Sequence, residues 1–124
     1  VLVTDVAVPL SQLARALQET ADDVVQHGLI APIVGHVGDG NFHLAYLVKD
    51  GDAQQRETAE RLSMQMVQRA IALQGTCTGE HGIGLHKQGF LVDETGADAV
   101  EMMRTLKRAL DPKNILNPGK IFRL

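Results

Sequence analysis

The chain has no tryptophan, and its one tyrosine and three phenylalanines make up only 3% of 124 residues. A protein this poor in rings offers little surface on which a planar ligand could stack. Cysteine occurs once, at Cys77, which excludes an intrachain disulfide and suits a reducing compartment. With apolar neighbours and no activating group beside it, that thiol reads as a small buried strand residue rather than a nucleophile. No apolar run approaches the roughly 20 residues a membrane helix needs, and no signal-peptide pattern opens the chain. Net charge is −3 with both signs interspersed, so there is no basic face to attract nucleic acid or anionic lipid. Twelve glycines invite a phosphate-loop reading, but the stretch 79–84 (GEHGIG) has no following Lys-Ser/Thr, and that reading falls.

What is present describes an ordinary globular domain: 44% hydrophobic and 22% charged residues, in a length that suits one core. Residues 1–7 are apolar with Thr4 and Asp5 interrupting, and read as a strand. Pro9 suits a first helical position; Leu10, Leu13, Leu17, Ala21 and Val24 then recur at helical spacing. His27 and Gly28 close that helix, the glycine at C′ and the imidazole near the negative end of the dipole. Asp52 can cap a long second helix with one stripe of Ala59, Leu62, Met66, Ala70 and Leu73 and another of Met64, Val67 and Ile71. Two stripes predict burial on two sides. Gly75 should end this helix and Thr76–Thr78 begin the next strand; His86 and Lys87 read as exposed loop. A third helix, Ala97 to Leu110, stops before Pro112, and an irregular tail follows. The order strand-helix-strand-strand-helix-strand is the ferredoxin-like pattern. The expected fold is therefore α+β, an antiparallel sheet with helices on one face plus a C-terminal helix and tail.

Between the two central strands lies the sequence's most informative segment, 33–46 (IVGHVGDGNFHLAY). Asp39-Gly40 is a strong signal for a two-residue type I′ hairpin, in which both central residues take positive φ. That loop would oppose Gly38 to Asn41, Val37 to Phe42 and His36 to His43. Opposed residues share a face with Cβ atoms roughly 4.5–5.5 Å apart, so the two imidazoles could share one metal ion. Ile33, Val37, Phe42, Leu44 and Tyr46 would pack under the helices and leave the histidine face open. Two histidines paired on a wet sheet face are an equally good account of the hairpin alone. Glu80 and His81 shift the balance, because two His and one carboxylate form the ligand set of many open divalent-metal sites. Being adjacent in extended chain, one of the two can ligate while the other reaches a substrate.

Residues 35–43 (GHVGDGNFH), 79–84 (GEHGIG) and 110–120 (LDPKNILNPGK) together resemble the C-terminal region of the FAD-linked oxidases. The relevant branch contains D-lactate dehydrogenase, the glycolate oxidase FAD subunit and D-2-hydroxyglutarate dehydrogenase. The three motifs fall in order, and the resemblance covers essentially the whole chain. It implies that His36, His43 and Glu80 ligate a divalent metal, with zinc, manganese and iron(II) all suited to the set. It implies further that His81 is the base on a substrate hydroxyl, that Asn41 lines the site, and that Asn117 and Lys120 lie near the flavin.

Members of that family carry a much longer N-terminal portion that holds FAD, and nothing in these residues corresponds to it. A chain that starts at Val1 is thus expected to be a fragment: residues 1–124 as one C-terminal, substrate-side domain, with the FAD-binding domain absent and no activity alone. The shortage of aromatic residues agrees, since a complete flavin pocket needs a stacking surface. The expected reaction is oxidation of a small 2-hydroxy acid to the 2-oxo acid, with hydride passing to flavin N5 and the metal anchoring and acidifying the substrate. The expected partners are that acid and the FAD domain of the same protein. Oligomeric state stays open, self-association through the bare sheet face being one route. The expected location is the cytoplasm, or the mitochondrial matrix in a eukaryote, with peripheral membrane association of the whole enzyme left open. Two rival classes compete: a metallohydrolase that uses the same residues to activate water, and a metal-free ferredoxin-like ligand-binding module.

Overall fold

A computed structural model describes all residues, 1–124, and the chain divides into two compact units, residues 1–80 and 81–124. The first unit contains β1 (Leu2–Val3), β2 (Val6–Ala7), α1 (Leu10–Gln26), β3 (Ile33–His36), β4 (Asn41–Tyr46) and α2 (Ala53–Ala72). The second contains α3 (Gln88–Thr95), α4 (Ala97–Leu110) and an irregular tail. The architecture is α+β around a small open antiparallel sheet, as the sequence pattern predicts. Both β1 and β2 pair with β4, β3 lies along the other edge of β4, and Thr76 bridges Ala7. The last ferredoxin-like strand is thus reduced to one bridge, in the position the pattern assigns it.

β1 and β2 are two pieces of the predicted first strand. Leu2 faces Tyr46 and Val6 faces Phe42, one unbroken register, with Thr4 and Asp5 between. Thr4 keeps the pairing by other means, its N–H donating to Leu44 O and its hydroxyl accepting from Leu44 N. Along β4 the strand alternation puts Phe42, Leu44 and Tyr46 into the core, 1%, 0% and 1% exposed. Ala16, Thr20 and Val24 of α1 and Ala59, Leu62, Met66, Val67 and Ala70 of α2 are buried in the same unit. Arg69 of α2 ties the helices together, donating to Thr20 Oγ1 at 3.0 Å and Asp23 Oδ2 at 2.6 Å, with Glu19 Oε2 2.9 Å from its Nε.

Several local expectations change. The buried stripe of α1 is Ala16-Thr20-Val24, while Leu10 is 62% exposed, so the stripe is rotated from the leucine series. α2 buries one face only, because Met64 is 51% exposed. The residue that closes α2 in the left-handed region is Gln74 (φ 63°), not Gly75. Gly75 serves a close approach instead: a Cβ there would run into the carbonyl of Ala7 and lie 2.9 Å from Ala70 O. Asp52 caps α2 as expected, accepting from Gln55 N at 2.9 Å. His27 closes α1, with its Nδ1 2.8 Å from Asp23 O and Gly28 at φ 63°. α3 has no counterpart in the sequence reading. α4 runs Ala97–Leu110 as predicted, and Cys77 is fully buried.

In the second unit Asp111, 5% exposed, organises the turn out of α4. Its carboxylate accepts from Lys107 Nζ, from Ile115 N at 3.0 Å and from Leu116 N at 2.9 Å. The Lys107 ammonium first, and then the Leu116 and Ile115 amides, hold the carboxyl down to about 2. A depressed carboxyl stabilises the fold fully above its unfolded value near ~4 and loses that contribution as pH falls through about 2. Hydrogen exchange at Ile115 and Leu116 should therefore accelerate as pH drops from about 4 towards about 2, relative to intrinsic rates. Asp111→Ala should remove the protection already at neutral pH; unchanged protection in that variant would refute the role.

Candidate metal centre

The hairpin that carries the site turns differently from the two-residue prediction. Residues 37–39 form one turn of 3₁₀ helix, and only Gly40 takes positive φ, at 74°. A side chain at Gly40 would meet the Val8 carbonyl as well as an unfavourable φ, so glycine is required twice over. The longer loop pairs His36 with Asn41, Gly35 with Phe42 and Val34 with His43. His36 and His43 are therefore diagonal neighbours rather than opposed ones. Val37 moves out of the sheet to 59% exposure, away from the core predicted for it. The displacement is an even number of residues, which preserves the face of every side chain. His36, Asn41 and His43 accordingly share one face, their imidazole centroids 6.1 Å apart at 88°.

Glu80 arrives at the same face from the segment after α2. Its Oε1 lies 3.1 Å from His43 Nε2 and 3.5 Å from His36 Nε2, so one carboxylate oxygen faces two ring nitrogens. Two atoms bound at about 2.1 Å to one cation, at right-angle to tetrahedral spacing, lie roughly 3.0–3.4 Å apart. The two Glu80 distances lie close to that spacing, all three donor atoms fall within 4.8 Å of one another, and their nitrogen–oxygen chemistry suits zinc, manganese or iron(II). His43 is the buried member, its side chain 10% exposed, whereas those of His36 and Glu80 are 63% and 48% exposed.

Under this face sits Asp5, 1% exposed. Its Oδ1 accepts from Asn41 Nδ2 at 2.8 Å and lies 3.3 Å from His43 Nδ1; its Oδ2 accepts from Thr78 Oγ1 at 2.8 Å and Glu80 N at 3.0 Å. Asn41, 4% exposed, also donates to Val6 O at 2.8 Å, so its amide nitrogen braces the floor of the site. Gly79 fits against this pair: a Cβ there would collide with the Asn41 amide and lie 2.8 Å from Asp5 Oδ1. Asp5, Thr78 and Gly79 were not among the residues singled out from sequence. The available signal was an acid interrupting an otherwise apolar strand.

The unit 1–80 thus brings together His36, His43, Glu80 and Asn41. His81 opens the second unit, and Asn117 and Lys120 lie in it. Those last two line a cavity of about 220 Å³ with Lys107, Asn114 and Phe122.

An α+β domain that gathers two imidazoles and a carboxylate on one sheet face has the donor set of a divalent-metal centre. Residues 1–121 match the model of the FAD linked oxidases, C-terminal domain, and the chain belongs to that family. It is 51% identical, over 98% of its own length, to a protein of Kluyveromyces lactis named D-lactate dehydrogenase (cytochrome), mitochondrial, and covers 20% of it. It is 35% identical to glycolate oxidase subunit GlcD of Bacillus subtilis, covering 98% of this chain and 26% of that protein. Identity is 34% to D-2-hydroxyglutarate dehydrogenase of Xanthomonas citri pv. viticola, over 95% of this chain and 26% of that protein. The chain therefore spans about a fifth to a quarter of the length of these relatives. No helix is long and apolar enough to cross a membrane.

The fit at Gly79 can be measured. Gly79→Ala should lower stability by about 1–3 kcal/mol in chemical denaturation, the usual range for overpacking. Gly38→Ala, with nothing within 4 Å of the added carbon, should stay close to wild type. Equal effects of the two would refute the close approach.

Proposed function

We propose that this chain is the substrate-side, C-terminal part of an FAD-dependent dehydrogenase of small 2-hydroxy acids, D-lactate-like in class. The FAD-binding portion would lie outside these residues, and the 124 residues alone would be inactive. The observation that carries the reading is the convergence of His36 Nε2, His43 Nε2 and Glu80 Oε1 in a member of the FAD linked oxidase family. The names of the relatives, which include a D-lactate dehydrogenase and a glycolate oxidase subunit, support the substrate class. They also support a mitochondrial location for a eukaryotic source; for any other source we propose the cytoplasm.

Two neutral imidazoles and one carboxylate leave a divalent ion with net positive charge at the sheet face. Such an ion, when bound, would anchor the carboxylate and hydroxyl oxygens of a 2-hydroxy acid and acidify that hydroxyl. His36 and Glu80 present the exposed side of the set, from which an anionic substrate can approach. Asn41 fixes the floor between His43 and Asp5, and we assign it to the substrate lining by the face it shares. His81 follows Glu80 directly in the chain, and we assign it the proton of the substrate hydroxyl, taken at an imidazole nitrogen. The Cα–H leaves as hydride, so the acid loses two electrons and becomes a 2-oxo acid. FAD supplies the acceptor for that hydride. We assign Asn117 and Lys120 to the flavin side.

Elemental analysis of the FAD-containing protein should find near-stoichiometric zinc, manganese or iron, lost in a His36→Ala, His43→Ala double variant. His81→Gln should keep the metal while D-lactate turnover falls roughly 10²–10⁴-fold, the usual worth of a general base. Metal content indifferent to the double variant, or full turnover without His81, would sink the assignment.

A further inference from the structure

We propose that Gln88 is a positioning residue for the reaction: its side-chain amide locks the glycine loop after His81 to the tail that carries Lys120. The proposal rests on the reading above, in which His81 takes the substrate proton and Lys120 stands on the flavin side. It adds the group that sets those two segments against each other. His81, Gln88 and the tail all belong to the unit 81–124.

The loop needs such a group. Gly82 and Gly84 sit at φ 79° and 54°, and a backbone of permissive residues does not hold its own shape. Later residues hold its carbonyls instead: Ile83 O accepts from Lys87 N at 3.2 Å, and Gly84 O from Ile121 N at 2.8 Å and Gln88 Nε2 at 3.3 Å. Gln88 Nε2 also donates to Gly119 O at 2.5 Å. One amide nitrogen thus faces two carbonyl oxygens, one for each of its hydrogens; with Oε1 in that place, acceptors would oppose acceptors. Chemistry therefore fixes the orientation of this side chain. Its backbone is fixed too, since Gln88 is the first residue of α3.

The tail needs it as well. Residues 112–120 are exposed, so burial does not hold them in place. Ile121 takes φ 72°, a left-handed conformation that a β-branched side chain disfavours and that persists only where neighbours enforce it. The bonds that enforce it fall on either side of Lys120, at Gly119 O and Ile121 N. Gly119, Lys120 and Ile121 also line the cavity of about 220 Å³, so the same clip fixes one of its walls.

Gln88→Glu keeps the shape of the side chain and removes its donors, whereas Gln88→Lys restores a donor at similar reach. In the FAD-containing protein, amide exchange over residues 117–122, read by mass spectrometry, should accelerate roughly 10-fold in Gln88→Glu. It should return towards wild type in Gln88→Lys. Metal content and KM for D-lactate should hold in Gln88→Glu while kcat falls by up to roughly 10²-fold, the cost of a displaced reacting group. Gln88→Lys should recover much of that loss. Unchanged tail exchange in Gln88→Glu would overturn the clip. Accelerated exchange with wild-type kcat would overturn the positioning role and leave a bond that only stabilises. Gln88→Met, which removes the donors without adding charge, carries the same test if the carboxylate prevents folding. Wild-type protein inert towards D-lactate, glycolate and D-2-hydroxyglutarate would refute the dehydrogenase reading instead, since tail exchange still reports on whether Gln88 makes the tie.

Discussion

Withdrawing a carboxylate from water costs several kcal/mol unless its oxygens meet donors of good geometry, and the unit 1–80 carries that obligation at Asp5. The donors come from separate parts of the chain: Asn41 begins β4, while Thr78 and the Glu80 amide belong to the segment after α2. To satisfy Asp5, that segment has to return beside β2, where Thr76 also bridges Ala7 in both directions. The return brings Glu80 up to the two imidazoles. One buried acid therefore delivers another, exposed acid to the place where it can act as a ligand, and folding and site assembly become the same event.

β4 separates the two kinds of chemistry by strand alternation. Phe42, Leu44 and Tyr46 point into the core, and Asn41 and His43 point the other way. Burial drives the Tyr46 phenol up to about 12, with the charge of Asp23 adding to the shift and Arg69 opposing it. The aromatic end of the strand is thus held neutral beneath a cluster in which Arg69 joins α1 and α2. A ligand on such a strand inherits the rigidity of the core on its reverse side, which a loop ligand does not. His43, the buried donor, holds that place. His36, on the edge strand, is two-thirds exposed and depends on pairing with Asn41.

The site was legible in the sequence because strand periodicity tolerates an error of two. A type I′ loop at Asp39-Gly40 opposes His36 to His43, whereas the 3₁₀ turn opposes His36 to Asn41, yet both put the imidazoles on one face. Asp-Gly is a statistical signal for the tighter loop; the 3₁₀ turn wins where Gly40 tucks under the Val8 carbonyl and Val8 N donates to Gly40 O. That contact is tertiary and leaves no local trace. α3 escaped for a related reason, since QGFLVDET has a glycine at its second position and no apolar period to register. α4, with a strong stripe and a proline stop, was legible to the residue. Asp5 looked like an interruption because its donors lie 36 to 75 residues away in sequence.

The Gly-Glu pair at 79–80 shows why spacing and chemistry are hard to separate in such motifs. Glu80 contributes a carboxylate, but it reaches the histidines only because residue 79 has no Cβ to collide with the Asn41 amide. The same close approach lets the Glu80 N–H reach Asp5. Glycine here serves packing rather than flexibility, since Gly79 is not among the positive-φ residues. The outer donors then differ from the inner one in exposure: 63% and 48% for His36 and Glu80, against 10% for His43. A cation entering from solvent would meet the exposed, hydrated donors first and the buried, desolvated one last. Affinity for such an ion would then depend on how well His43 is aimed before it arrives, which would place the burden of preorganisation on the one donor that is buried against the core.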